Sequence, residues 1–161
     1  MSEMEYVIGA LLREKRLTLG VAESASGGLI SHLITNVPGS SIYYKGSITA
    51  YANSTKRKLL GVKASTLSQY GAVSPQVAAE MAEGGRKALV VDICISDTGI
   101  AGPCGSSLEK DVGLFYIGLA HKDKTLSRKH QFNGTREENK QSAARAALSL
   151  LNKYLVSLNV E

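Results

Sequence analysis

The sequence predicts an α/β protein, a three-layer α/β/α domain around a mixed, mostly parallel central sheet. Helical and strand patterns alternate through the first two-thirds of the chain, as expected for a sheet covered on both faces. Residues 90–96 (VVDICIS) are apolar and β-branched with little polar alternation, which marks a strand buried on both sides. Two strand patterns about a short turn and a long helical pattern then finish the chain, most simply as an antiparallel hairpin and a covering helix. With 161 residues, no repeat and no linker, residues 1–161 read as a single domain.

The elements follow in order. Met4, Val7, Ile8, Leu11 and Leu12 recur at helical spacing, so a first helix ends near Arg16. Residues 17–22 form a first strand. Residues 26–36 form a second helix, entered through Gly27-Gly28 and ended near Val37-Pro38-Gly39. Aromatic and β-branched residues mark a strand over 42–51. Asn53 is a candidate cap for a helix through Leu60 that Gly61 stops, and 65–70 is a short helix closed by Gly71. Ser74 before Pro75 pairs a natural N-cap with a proline in the first helical position, opening a helix through Ala88 whose last turns Gly84-Gly85 weaken. The buried strand over 90–96 leads into a glycine-rich loop over 98–110, then strands over 112–120 and 125–132. The last helix runs from Thr135 to about Leu155, with Ala144, Leu148, Leu151 and Leu155 in one stripe.

Composition excludes several functions. A hydrophobic fraction of 43% with 20% charged residues describes a folded globular protein rather than a disordered one. Aromatics at 6% and the lack of Trp leave no base-stacking platform. The formal charge of +5 is scattered beside acids and at element ends, so a solvated surface is expected and no nucleic-acid partner. No apolar run is long enough to span a membrane, and MSEMEYVIGALLREKR lacks a signal-peptide pattern; a cytoplasmic protein without a membrane partner is expected. Cys94 and Cys104 make a poor disulfide framework, with Cys94 read as core and Cys104 as accessible in the glycine-rich loop. His32, His121 and His130 show no ligand spacing with cysteines or acids, so neither a metal nor a cofactor is expected. An exposed apolar helix leaves room for a homodimer or larger homo-oligomer.

Three polar clusters fall at strand ends, where ligands collect in open α/β sheets. They are Glu23-Ser24-Ala25-Ser26-Gly27-Gly28, Tyr51-Ala52-Asn53-Ser54-Thr55-Lys56, and Asp97-Thr98-Gly99-Ile100-Ala101-Gly102-Pro103. Ser24, at a strand-turn-helix junction, suits a nucleophile whose oxyanion meets helix N–H groups; equally, Ser24 or Ser26 caps the helix. Glu23 is a structural acid or an anchor for the turn. Lys56 suits a base if burial lowers its pKa, while Arg57 and Lys58 beside it suit an exposed cation. Tyr51 either relays a proton or packs. Neither the third cluster nor Pro38-Gly39-Ser40-Ser41 is a Walker loop, although both offer backbone N–H groups to an anion.

Taken together these motifs resemble the CinA C-terminal domain family, whose stand-alone members are PncC-like nicotinamide-nucleotide amidohydrolases. The resemblance rests on Ala22-Glu23-Ser24 with Gly27-Gly28, Val37-Pro38-Gly39-Ser40-Ser41, Ala50-Tyr51 with Asn53 and Lys56, Leu60-Gly61-Val62, Gly71-Ala72-Val73-Ser74, Thr98 through Pro103, and Glu109-Lys110 before Val112-Gly113. It implies hydrolysis of the carboxamide of nicotinamide mononucleotide, with Ser24 as nucleophile, Lys56 as base, Tyr51 beside them, and no metal or cofactor. It further implies a substrate site drawn from Ser26, Gly27, Gly28, Ser41, Thr98, Gly99, Arg136 and Lys140. The chain departs from the family pattern at Ala25 (usually Cys), Ser26 (Thr), Cys104 (Gly), Asp111 (Pro) and Lys140 (Arg). These departures set out the alternative, a nucleotide-binding or regulatory module of the same fold with weakened chemistry.

Overall fold

A computed structural model describes residues 3–158. Five strands form one sheet: β1 (Leu19–Glu23), β2 (Tyr44–Thr49), β3 (Ile93–Gly99), β4 (Leu114–His121) and β5 (Lys124–Gln131), in the order β2-β1-β3-β4-β5. β1 pairs in parallel with β2 and β3, whereas β3–β4 and β4–β5 are antiparallel, so β4 alone runs against the other four. The helices are α1 (Met4–Lys15), α2 (Leu29–Thr35), α3 (Asn53–Leu60), α4 (Ala64–Tyr70), α5 (Pro75–Leu89) and α6 (Arg136–Ser157). The three-layer α/β/α architecture with a mixed, mostly parallel sheet is the one the alternating pattern predicts.

Two cores fill the layers. On one face Leu19, Val21, Ile93 and Ile95 meet Ile8 and Leu12 of α1, Ile30 and Ile34 of α2, and the Ala144-Leu148-Leu151-Leu155 stripe of α6. On the other, Ala22 and Cys94 meet Leu60, Val77 and Met81. Small residues let α5 lie close to the sheet and to α3: a Cβ on Gly84 would stand 1.7 Å from the Leu60 carbonyl oxygen, and one on Gly85 2.6 Å from Cys94 Sγ. These glycines are packing contacts within α5 and do not end it.

Several boundaries move, each for a local reason. Val90 is β-branched yet closes α5 in the left-handed region (φ 52°), 85% exposed. Thr18 and Asp92 exchange hydrogen bonds of 2.8–2.9 Å below the sheet, so β1 starts at Leu19 rather than at residue 17 and β3 at Ile93 rather than at residue 90. β3 consequently runs on through Asp97 and Thr98. α2 starts at Leu29, with Gly28 as its N-cap at φ 101°, a conformation that favours glycine; residues 24–28 form a turn instead of the expected first helical turn. Asn53 is the first residue of α3 and makes no side-chain cap; Ala52 holds the cap position. Ser74 caps α5 as expected, its Oγ accepting from Val77 N–H at 3.2 Å.

Candidate active site

The carboxyl ends of β1 and β3, the start of α3 and the loop after β3 enclose an open cleft of about 300 Å³. Ser24, Tyr51, Lys56, Thr98, Gly99 and Arg136 line it together with Ala25, Asn53 and Cys104. Parallel pairing explains the meeting: Glu23 sits opposite Thr49, and Ala22 opposite both Ile48 and Ser96, so the three polar clusters leave the sheet at one end.

Beneath Ser24 lie two fully buried acids. Asp97 Oδ1 accepts the Ser24 N–H and Oδ2 the Ser26 N–H, both at 2.9 Å. Glu23 Oε1 accepts from Gly28 N–H (3.1 Å) and Ile30 N–H (2.9 Å), and Oε2 from Ser31 N–H (3.1 Å) and Ser31 Oγ (2.6 Å). Side-chain carboxylates thus do for this turn what a helical ladder would otherwise do, which is why α2 begins late. Ser26 Oγ lies between them, within hydrogen-bond distance of Glu23 Oε1 (2.6 Å) and of Asp97 Oδ1. From Ser24 to His32 every backbone N–H has an acceptor among the described residues except that of Ala25.

Ser24 is 6% exposed and Lys56 2%, both opening onto the cleft. Lys56 Nζ donates to the Tyr51 carbonyl at 2.8 Å, and no hydrogen bond among the described residues joins it to Ser24 Oγ. Burial holds the Lys56 pKa below the usual lysine value, with Asp97 opposing that shift. Burial also pushes Asp97 up to about 6 against the hydrogen bonds from Ser26 and Ser24, with Glu23 adding to the rise. Tyr51, 63% exposed, places its hydroxyl at the cleft mouth, where Arg136 Nη2 donates to it at 3.0 Å; Arg136 Nη1 donates to Gly102 O at 2.7 Å. Thr98 Oγ1 donates to Ala72 O at 2.7 Å and ties the wall to the segment before α5.

The remaining residues expected at a substrate site lie elsewhere. Ser26 is buried and spends its groups on the two acids. Gly27 and Gly28 are outside the cleft lining, with Lys140 Nζ beside Gly27. Ser41 belongs to the 3-10 turn Ser40–Ile42 that precedes β2, at the opposite end of that strand from the cleft. Conversely, sequence reasoning named Asp97 within the third polar cluster without giving it a role, and missed Asn139. The buried amide of Asn139 donates to Ala101 O (3.0 Å) and Gly134 O (3.1 Å), fastening the cleft loop to the start of α6. An acid closing an otherwise apolar strand run was the available signal for Asp97. Among the described residues no three His, Cys, Asp or Glu side chains converge as a metal-binding group, and no helix is long and apolar enough to cross a membrane.

Residues 1–155 match the family model of the CinA C-terminal domain. A CinA-like protein of Endomicrobium trichonymphae is 48% identical over 94% of the chain, and one of Salinibacter ruber is 48% identical over 94%. These alignments cover 35% and 37% of the two relatives, so the chain spans little more than a third of their length. The crystal structure of a CinA superfamily protein from Klebsiella pneumoniae superposes with a TM-score of 0.93 at 25% identity, covering 96% of this chain and 97% of that one.

Proposed function

The chain belongs to the CinA C-terminal domain family, and from that premise we propose that it deamidates nicotinamide mononucleotide to nicotinate mononucleotide and ammonia, using Ser24 as nucleophile and Lys56 as base. The observation that carries this reading is a desolvated lysine opening onto the same cleft as Ser24. Burial lowers the cost of the neutral amine, the form able to take a serine proton.

Ser24 Oγ attacks the carboxamide carbon while Lys56, released from the Tyr51 carbonyl, accepts the hydroxyl proton. The oxyanion falls to the Ala25 N–H, the donor in the turn that has no acceptor among the described residues. Lys56 returns the proton to the amide nitrogen, the C–N bond breaks, and ammonia leaves a nicotinate ester on Ser24. Water, deprotonated by Lys56, attacks the ester and frees nicotinate mononucleotide and the serine hydroxyl. Arg136, at the cleft mouth with Tyr51, takes the phosphate, with Lys140 further out as a point charge.

The second reading, a nucleotide-binding module without turnover, draws on the engagement of Lys56 Nζ with Tyr51 O in place of Ser24. Acid quenching during incubation with nicotinamide mononucleotide, followed by peptide mass mapping, separates the two. A nicotinate ester on the Ser24 peptide supports hydrolysis. Calorimetric binding without adduct or product supports the module.

A further inference from the structure

The two buried acids beneath Ser24 present a proton-counting problem. Ser26 Oγ has one hydrogen but two carboxyl oxygens within hydrogen-bond distance, Glu23 Oε1 and Asp97 Oδ1. With both acids ionised, one of those contacts would set a carboxylate oxygen against a hydroxyl oxygen with no hydrogen between them, in a site closed to water. One more proton is required. Glu23 is a poor place for it, because four other donors from Gly28, Ile30 and Ser31 already point at its two oxygens. Among the described residues, Asp97 receives only the N–H groups of Ser24 and Ser26 besides this contact.

We propose that Asp97 is the positioning residue of the site and acts as a neutral carboxylic acid, its proton donated to Ser26 Oγ, which passes its own hydrogen to Glu23. The chain Asp97-Ser26-Glu23 is then satisfied at every contact, and both Asp97 oxygens remain able to accept the N–H groups that fix the Ser24 turn. The charged groups acting on Asp97 are Glu23 from β1 and Lys56 from α3, while β4 presents Ile117 in register. Glu23 disfavours a second negative charge beside it. Burial works in the same direction, and Asp97 is accordingly pushed up to about 6.

The arrangement has a consequence for Lys56. An ionised Asp97 would favour the ammonium form, and a neutral one removes that attraction and leaves burial to lower the lysine pKa. Below about pH 6 Asp97 thereby holds the nucleophile's turn in place without holding a proton on the base, and above it the ionised carboxylate favours the ammonium form of Lys56. This consequence rests on the reading of Ser24 and Lys56 given above, whereas the protonation of Asp97 does not.

The test has a spectroscopic and a kinetic arm. Infrared difference spectra across a pH titration of the whole protein should show a protonated-carboxyl stretch that persists to about pH 6 or above and is missing from Asp97→Asn. A wild type that loses its last such band at the ordinary carboxylate value of 3.8 overturns the proposal, whether or not the protein turns over any substrate. In the kinetic arm Asp97→Ala should lose about a hundredfold or more in kcat. Asp97→Asn, whose Nδ2 can donate to Ser26 Oγ but cannot accept the N–H group that the replaced oxygen held, should recover only part of that loss. Absence of turnover in a wild type that retains the band would overturn the hydrolase reading and leave the protonated Asp97 standing.

Discussion

Arg136 Nη2 donates to the Tyr51 hydroxyl at 3.0 Å, joining the first turn of α6 to the entrance of α3 across 85 residues of sequence. The contact sets a cation and a phenol side by side at the mouth of a cleft whose floor holds Ser24 and Lys56. On the proposed function, an anionic end of the substrate would meet Arg136 while its other end reaches the serine.

Arg136→Ala should therefore raise KM for nicotinamide mononucleotide by about 10- to 100-fold, the value of a charge-assisted contact, with a smaller fall in kcat. Arg136→Lys should rescue little, since a point charge cannot serve Gly102 O, Tyr51 and a phosphate from one planar fork. Steady-state kinetics check this; equal losses in kcat and kcat/KM would move Arg136 from binding into the chemical step.

Lys56→Arg keeps the charge but cannot supply a neutral base, so kcat should fall by about 100- to 10,000-fold while the nucleotide still binds. In the wild type the rate should climb with pH as Lys56 loses its proton, reaching half its maximum below the ordinary lysine value of 10.5. A rate that falls over that range would exclude Lys56 as the base.

Glu23 accepts from four donors besides Ser26, the N–H groups of Gly28, Ile30 and Ser31 and the Ser31 hydroxyl. Glu23→Ala should cost about 3 kcal/mol or more, measured as a lower urea midpoint at unchanged slope. A loss under about 1 kcal/mol would mean that the turn finds other acceptors.

Stability should carry the mark of Asp97 at acid pH. Its folded pKa is raised, so the folded state keeps a proton that the unfolded chain releases. That contribution is complete below 3.8 and is lost as pH rises to about 6. Its size is about 3 kcal/mol, taken as the difference between wild type and Asp97→Asn so that other carboxylates cancel. Chemical denaturation at several pH values measures it; parallel curves for the two proteins would contradict it.

Much of the fold was legible because particular residues act locally. Ser74-Pro75 announced α5 by capping chemistry, and the Ala144-Leu148-Leu151-Leu155 stripe announced the buried face of α6 by its period. Val90 misled, since β-branching is a preference that a left-handed helix end overrode. The late start of α2 was hidden because it depends on Asp97, which arrives from more than 70 residues away. The same is true of the site: Ser24, Tyr51 and Lys56 stand at strand ends, where a sequence pattern can point, but the partners that hold the turn come from β3 through tertiary pairing. Ser41 shows the converse, a residue that the family resemblance placed at the site although the strand pattern over 42–51 set it at the start of β2, away from the cleft.

Ammonia release on incubation with nicotinamide mononucleotide, compared between wild type and Ser24→Ala, tests the central claim most directly. Release by the wild type that disappears in a folded Ser24→Ala protein, which still binds the nucleotide, is the expected result. Release that survives the substitution, or none from a folded wild type, would contradict a serine amidohydrolase at this cleft.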